Sequence, residues 1–154
     1  MNYSGRSSDR GLIARKLASH GVHWVVAIVA AVLAPPAANA AIYDSRYVAI
    51  GGIDQWIQIR GRDESNPVLL WLNGGPGGST IPDTPAYAAW EEHFTVVMWD
   101  QRGEGKTFEK YGRSLAQTMT IERMSEDGIE LAEYLKARLP GAEIVLLGHS
   151  WGSI

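Results

Sequence analysis

Short apolar runs separated by polar and glycine-rich turns dominate the chain after residue 40. Residues 41–50 and 53–60 alternate apolar and polar side chains on either side of Gly51-Gly52, which is typical of two antiparallel strands joined by a turn. Three later runs are continuously apolar, as expected of strands covered on both faces; they are residues 68–72, 94–99 and 144–147. The pattern therefore predicts five strands.

Two of the segments between these strands have helical patterns. Residues 85–93 predict a short helix, and residues 121–139 predict a long one that Pro140-Gly141 ends, although Gly128 interrupts its apolar face. Residues 101–118 are polar and predict a loop. The order β-β-β-α-β-α-β predicts an α/β fold with a mixed, mostly parallel sheet.

The first 40 residues differ in kind from the rest. They contain one acidic residue, Asp9, and four basic ones: Arg6, Arg10, Arg15 and Lys16. An apolar run at 22–34 and the small-x-small sequence 38–40 follow, so we expect a secretory signal cleaved after Ala40 and a periplasmic or secreted domain over 41–154. The run is shorter than the roughly 20 residues of a spanning helix. An uncleaved signal that anchors the protein in a membrane is the alternative.

Charge and composition exclude several classes of function. A net charge of −3 argues against a nucleic-acid partner, and the absence of cysteine excludes a disulfide scaffold and a cysteine-ligated metal. Gly105-Lys106-Thr107 looks like the end of a phosphate-binding loop, but Asp100 stands where that loop requires glycine. We therefore expect no nucleotide, metal or other cofactor, and membrane contact only through the signal segment.

The sequence Gly148-His149-Ser150-Trp151-Gly152 directly follows the last apolar run. A buried strand that enters G-x-S-x-G is the signature of a nucleophile elbow, a turn so tight that only small residues fit on either side of the serine. Ser150 is thus the candidate nucleophile. The alternative is a chance occurrence of this short string in an ordinary turn.

Two other loops follow strands of the predicted sheet. In the loop 73–78, the amide of Gly75 is a candidate donor to an oxyanion, together with the amide of Trp151 after the nucleophile. A plain glycine-rich turn is the alternative for this loop. In the loop after residue 99, we expect Asp100 to cap the loop and Arg102 to hold it by charge-assisted hydrogen bonds.

A serine nucleophile needs a general base, usually histidine. Of the four histidines, His20 and His23 lie in the predicted signal. His93 precedes the fourth strand and should lie at the sheet edge opposite Ser150, while His149 is expected to point away from its neighbour and to support the loop. We expect none of the four to act as the base.

Three of these segments together resemble the α/β-hydrolase family, and within it the proline iminopeptidase (prolyl aminopeptidase) branch. They are residues 74–77, 99–105 and 148–152, and the likeness spans residues 42–154. The resemblance implies a serine peptidase that releases N-terminal residues, often proline, through an acyl-enzyme. It implies that Ser150 is the nucleophile and that the amides of Gly75 and Trp151 form the oxyanion hole.

The loop after the third strand departs from this branch. Branch members usually carry histidine where Asn73 stands, and the sequence Asn73-Gly74-Gly75-Pro76-Gly77 is similar to the corresponding loop of serine carboxypeptidases. An esterase or amidase therefore stays open as an alternative. These loop residues, with Asp100 and Arg102, are expected to support the site rather than to react.

The resemblance also implies that the catalytic acid, the histidine and the cap domain follow the elbow. Residues 41–154 would then be the N-terminal portion of an α/β-hydrolase fold, with strands 1–5 and the start of the nucleophile helix, truncated just after the elbow. We expect a polypeptide of these 154 residues to have little hydrolase activity. A truncated, catalytically inactive remnant is the alternative to an active parent enzyme.

Overall fold

The computed structural model of the protein describes residues 40–154. The predicted signal segment lies outside these residues except for Ala40, so its cleavage stays a prediction. Within the described part of the chain, no helix has both the length and the apolar character needed to cross a membrane.

All five predicted strands are present, and their ends agree with the prediction to within one residue. They are β1 (Ile42–Ile50), β2 (Ile53–Gly61), β3 (Val68–Leu72), β4 (Thr95–Asp100) and β5 (Ile144–Gly148). The strands form one sheet in the order β1-β2-β4-β3-β5. β3 pairs in parallel with β4 and β5, whereas β2 pairs antiparallel with β1 and β4, so the predicted mixed sheet is confirmed.

The β1–β2 turn shows how local sequence determines the register. Ile50 pairs with Ile53, so that only Gly51 and Gly52 lie in the turn. Both have positive φ, 56° and 76°. Two-residue hairpin turns of this kind favour glycine because side chains rarely adopt such angles.

The core lies between one face of the sheet and the long helix α2, Ile121–Arg138. Alternate residues of the central strands point into it, and so do apolar residues of α2: Ile57, Ile59, Val68, Leu70, Val97, Trp99, Leu131 and Leu135, all at most 2% exposed. Burying each such side chain stabilises the fold by about 1.5–3 kcal/mol. Thr120 caps α2 by accepting a hydrogen bond from the amide of Arg123 at 3.2 Å, and the helix ends one residue before the prediction.

The prediction of a loop for residues 101–118 is wrong. A short helix, α1, occupies Gly105–Tyr111, and a 3₁₀ segment occupies Gly112–Thr118. Bonds to distant strands hold α1 in place: the Thr107 hydroxyl accepts from the amide of Trp56 at 2.9 Å and donates to the carbonyl of Asp100 at 2.7 Å. The helix forms through these contacts rather than through an apolar periodicity, so the pattern does not show it.

The predicted helix at 85–93 is a 3₁₀ helix that begins earlier, at Ile81–Glu92. A further 3₁₀ turn, Ser150–Ser153, follows β5. β5 forms one edge of the described sheet, and its apolar side chains are exposed: Val145 by 37%, Leu146 by 61% and Leu147 by 36%. The elbow therefore lies at the end of an edge strand of the described sheet.

Candidate active site

Ser150 lies on a sharp turn between β5 and the 3₁₀ turn that follows it. Its φ is +52°, in the left-handed region that residues other than glycine rarely adopt, and the residue is exposed. Among the described residues other than glycine, no other has a positive φ. Backbone strain of this kind costs about 1–3 kcal/mol and concentrates at functional sites. The predicted tight turn at Ser150 is therefore present.

Glycines on either side of Ser150 allow this turn to pack. A β-carbon at Gly148 would overlap the carbonyl of Gly152, and a β-carbon at Gly152 would overlap the carbonyl of Leu72. The amide of His149 donates to that same Leu72 carbonyl at 3.0 Å, and the amide of Gly152 donates to the carbonyl of His149 at 3.0 Å. The elbow is thus fastened to the end of β3, and only glycine fits at its two flanks.

The glycine-rich loop after β3 lies directly against the elbow. A β-carbon at Gly74 would lie 3.1 Å from Cβ of Ser150 and 3.0 Å from Nδ1 of His149. The structure therefore brings the loop 73–78 and Ser150 together, as the sequence predicts. The roles of the Gly75 and Trp151 amides in stabilising an oxyanion stay predictions.

Asn73 holds this loop from inside. Its side chain is fully buried, and its amide nitrogen donates to the carbonyl of Gly78 at 2.6 Å and to Oε2 of Glu104 at 2.8 Å. Its amide oxygen accepts from Nε2 of Gln101 at 3.0 Å. Because every polar atom of the Asn73 side chain is bonded within the protein, the side chain supports the loop.

Glu104 is a central residue of the site that the sequence does not single out. It is fully buried, and besides Asn73 its carboxylate accepts from the amides of Gln101 at 3.2 Å and Gly77 at 3.4 Å. Burial is the main cause that raises its pKa to about 7; the hydrogen bonds oppose this effect, and the charge of Asp100 adds to it. A glutamate in a polar stretch carries no sequence signal of such burial.

Asp100 and Arg102 connect the loop after β4 to segments that are distant in sequence. Asp100 accepts from the Ser79 hydroxyl and from the amide of Lys106 at 2.9 Å, so it joins the glycine-rich loop to the start of α1. Arg102 is 2% exposed and forms a buried ion pair with Asp127 on α2. It also donates to the carbonyl of Gly51 at 2.6 Å. Arg102 thus links three separated segments.

Within residues 40–154, no hydrogen bond joins a histidine side chain to Ser150. His93 directly follows the 3₁₀ helix and precedes β4, whereas Ser150 follows β5. Because β3 runs parallel to both strands, His93 lies at the amino-terminal ends of the strands and Ser150 at their carboxyl-terminal ends. The ring of His149 stacks on Trp71 with the centroids 6.4 Å apart. Within residues 40–154, no three histidine or carboxylate side chains come together in a way that could hold a metal ion.

The geometry agrees with comparisons against known proteins. A family described as serine aminopeptidase, S33, matches residues 64–154. The chain is 42% identical to the probable aminopeptidase YbaC of Bacillus subtilis over 108 residues, which is 70% of this chain and 33% of that protein. It is 33% identical to a proline iminopeptidase of Arabidopsis thaliana over 93 residues, 60% of this chain and 22% of that protein.

A solved structure shows the same fold. The proline iminopeptidase-related protein TTHA1809 from Thermus thermophilus superposes with a TM-score of 0.59 at 31% identity, covering 72% of this chain and 37% of that chain. The chain therefore spans about a third, or less, of the length of these relatives. The family match covers more than half of the sequence and includes β3, β4, β5 and the elbow. The chain belongs to the serine aminopeptidase S33 family, within the α/β-hydrolase superfamily.

Proposed function

We propose that the complete protein is a serine aminopeptidase in which Ser150 is the nucleophile. The observation that carries this proposal is the position of Ser150: exposed, at φ +52°, directly after β5 and against Gly74. A strained turn at the carboxyl end of a parallel strand presents a hydroxyl in the way that nucleophilic attack requires. A serine in an ordinary surface turn needs neither the strain nor the two crowded glycines.

The same geometry supports a role for two backbone amides. When the Ser150 oxygen attacks a carbonyl carbon, the carbonyl oxygen becomes an oxyanion that fixed N–H donors stabilise. We assign the donors to Gly75 and Trp151, because Trp151 follows the nucleophile and the loop of Gly75 lies against the elbow. The buried side chains of Asn73 and Glu104 fix this loop before substrate binds.

The proposed reaction proceeds through an acyl-enzyme. The Ser150 oxygen bonds to the carbonyl carbon, the scissile C–N bond breaks, and the hydroxyl proton passes through a base to the leaving amine. Water then attacks the ester, releases the acid and restores the hydroxyl. Because no hydrogen bond joins Ser150 to a histidine within residues 40–154, we propose that residues 1–154 alone show little turnover.

Removal of N-terminal residues from peptides is the activity that the relatives' names favour. Both a probable aminopeptidase and a proline iminopeptidase are among them. The departure at Asn73 carries less weight than the sequence suggests, since its side chain is buried and bonded.

Export is a separate proposal that depends on residues 1–40. N-terminal sequencing of the protein from its native cells tests it: a first residue at Ala41 supports cleavage, and Met1 contradicts it.

The experiment uses the complete protein with proline arylamide, other aminoacyl arylamides and short-chain aryl esters. Ser150→Ala should lower turnover by roughly a factor of 10⁴ or more. Ser114→Ala, which removes an exposed hydroxyl that bonds only to the carbonyl of Tyr111 in the described contacts, is the matched control and should retain activity. Preference for esters over every arylamide would favour the esterase alternative, and an inactive wild type would favour an inactive remnant.

A further inference from the structure

Glu104 lies at the N-cap position of α1, but its side chain does not cap the helix. It directly precedes α1, where a short polar side chain usually accepts a hydrogen bond from the first turn of the helix. The Glu104 side chain makes no such bond, and Asp100 instead accepts from the amide of Lys106. The carboxyl group of Glu104 lies against the glycine-rich loop, fully buried.

The contacts of this carboxylate are concentrated on the segment that carries Gly75. Oε2 accepts from the side chain of Asn73 at 2.8 Å and from the amide of Gln101 at 3.2 Å. Oε1 accepts from the amide of Gly77 at 3.4 Å and lies 2.9 Å from the point where a β-carbon of Gly75 would be. Glu104 therefore holds the loop on both sides of Gly75.

Stability does not explain this arrangement. A buried carboxylate costs free energy unless a cation or strong donors compensate, and none of the ion pairs within residues 40–154 includes Glu104. The ionisable neighbour that acts on it is Asp100, which raises its pKa further. The nearby cations are engaged elsewhere, Lys106 over the ring of Trp56 and Arg102 with Asp127. The donors that the glycine-rich loop directs to Glu104 are uncharged amides, those of the Asn73 side chain and the Gly77 main chain.

We propose that Glu104 is a positioning residue for the oxyanion loop: its carboxylate holds the Asn73–Gly78 segment so that the amide of Gly75 faces Ser150. This inference rests on the proposed role of Gly75. If the loop moves, the carboxylate and the donors of Asn73 and Gly77 lose their hydrogen bonds, so the loop resists opening.

Hydrogen exchange of the loop amides tests this without reference to activity. In the wild type at about pH 8, above the pKa of Glu104, residues 74–79 should be protected from exchange after correction for intrinsic exchange rates. Glu104→Gln keeps the size but places an NH₂ group against the N–H donors, so protection at the same pH should be severalfold lower. Glu109→Gln, an exposed glutamate of α1, is the matched control and should behave like the wild type.

Kinetics of the complete enzyme give the second readout. Glu104→Gln should lower kcat by about tenfold to a hundredfold, with KM changed less than about twofold, because loop position matters to the transition state more than to substrate binding. Its melting temperature at about pH 8 should not fall, since the substitution removes a buried charge. A purely structural role would lower the melting temperature together with activity.

Equal loop protection in the wild type and Glu104→Gln at about pH 8 would overturn the proposal. If Glu104→Gln fails to fold, Glu104→Asp replaces it: this variant keeps the charge but withdraws it from Gly77 by one methylene, and it should show the same loss of protection. An inactive wild type with an intact exchange effect would refute the proposed function and leave the positioning role standing. An active wild type without the exchange effect would support the proposed function and refute the positioning role of Glu104.

Discussion

Gly152 packs against the main-chain carbonyl of Leu72, so closely that a β-carbon at position 152 has no room. The same carbonyl accepts the amide of His149 at 3.0 Å. The end of β3 and the start of the segment after Ser150 are therefore in direct backbone contact. This contact places the elbow beside the glycine-rich loop, since that loop continues from Leu72.

Gly152→Ala should consequently displace the elbow. Backbone cannot yield as a flexible side chain can, so we expect a loss of about 2–3 kcal/mol in the free energy of unfolding, measured by denaturant titration. Gly78→Ala is the matched control, because a β-carbon there meets nothing within 4 Å and should change stability by less than about 0.5 kcal/mol. Equal stability of the two variants would contradict the packing described.

Among the ionisable residues of the fold, Asp127 is expected to cost the most unfolding free energy when it is substituted. Its carboxylate, 1% exposed, accepts from Arg102, Arg123 and Gln55, and Gln55 in turn accepts from the indole of Trp99 at 2.9 Å. Asp127→Ala leaves the buried guanidinium of Arg102 without its partner, so it should cost about 3–5 kcal/mol in unfolding free energy.

Glu133→Ala provides the comparison for Asp127. Glu133 pairs with Lys136 one helical turn away, and both side chains are largely exposed, by 64% and 59%. Exposed pairs of this kind contribute little, so the variant should lose at most about 0.5 kcal/mol. Similar losses for the two alanine variants would show that the Arg102–Asp127 pair is not a structural link.

Glu104 should make stability depend on pH in a specific direction. Burial raises its pKa from 4.5 to about 7, so the folded state binds the proton more tightly than the unfolded state. The stability that the folded state gains from this tighter proton binding is fully present below about pH 4.5 and is lost as pH rises through about 7.

The measurement compares melting temperatures of the wild type and Glu104→Gln across pH. The melting temperature of Glu104→Gln should rise relative to that of the wild type between about pH 5 and about pH 7.5, and the difference should then level off. Glu109→Gln, the exposed control, should show no such trend. A difference between wild type and Glu104→Gln that shrinks as pH rises would contradict the raised pKa.

The strands and the elbow could be predicted because their signals are local. Continuous apolar runs predicted β3, β4 and β5, and the glycines around Ser150 indicate the tight turn without knowledge of its neighbours. The mixed sheet followed from the order of these elements.

The residues that hold the site together could not be predicted, because their partners are distant in sequence. α1 depends on Thr107, which bonds to Trp56 on another strand, and Arg102 depends on Asp127, a polar residue in the middle of α2. Glu104 looks like an ordinary residue of a polar stretch until the fold brings Asn73 against it. Pairings of this kind leave no periodic pattern along the chain.

The proposed nucleophile is tested most directly by covalent trapping. The complete protein, treated with a fluorophosphonate at a concentration near that of the enzyme, should gain one adduct, and peptide mass mapping should locate it on Ser150. Ser150→Ala should gain none, while the exposed hydroxyl variant Ser114→Ala should react like the wild type. An adduct on another residue, or the same adduct yield in Ser150→Ala, would contradict the account.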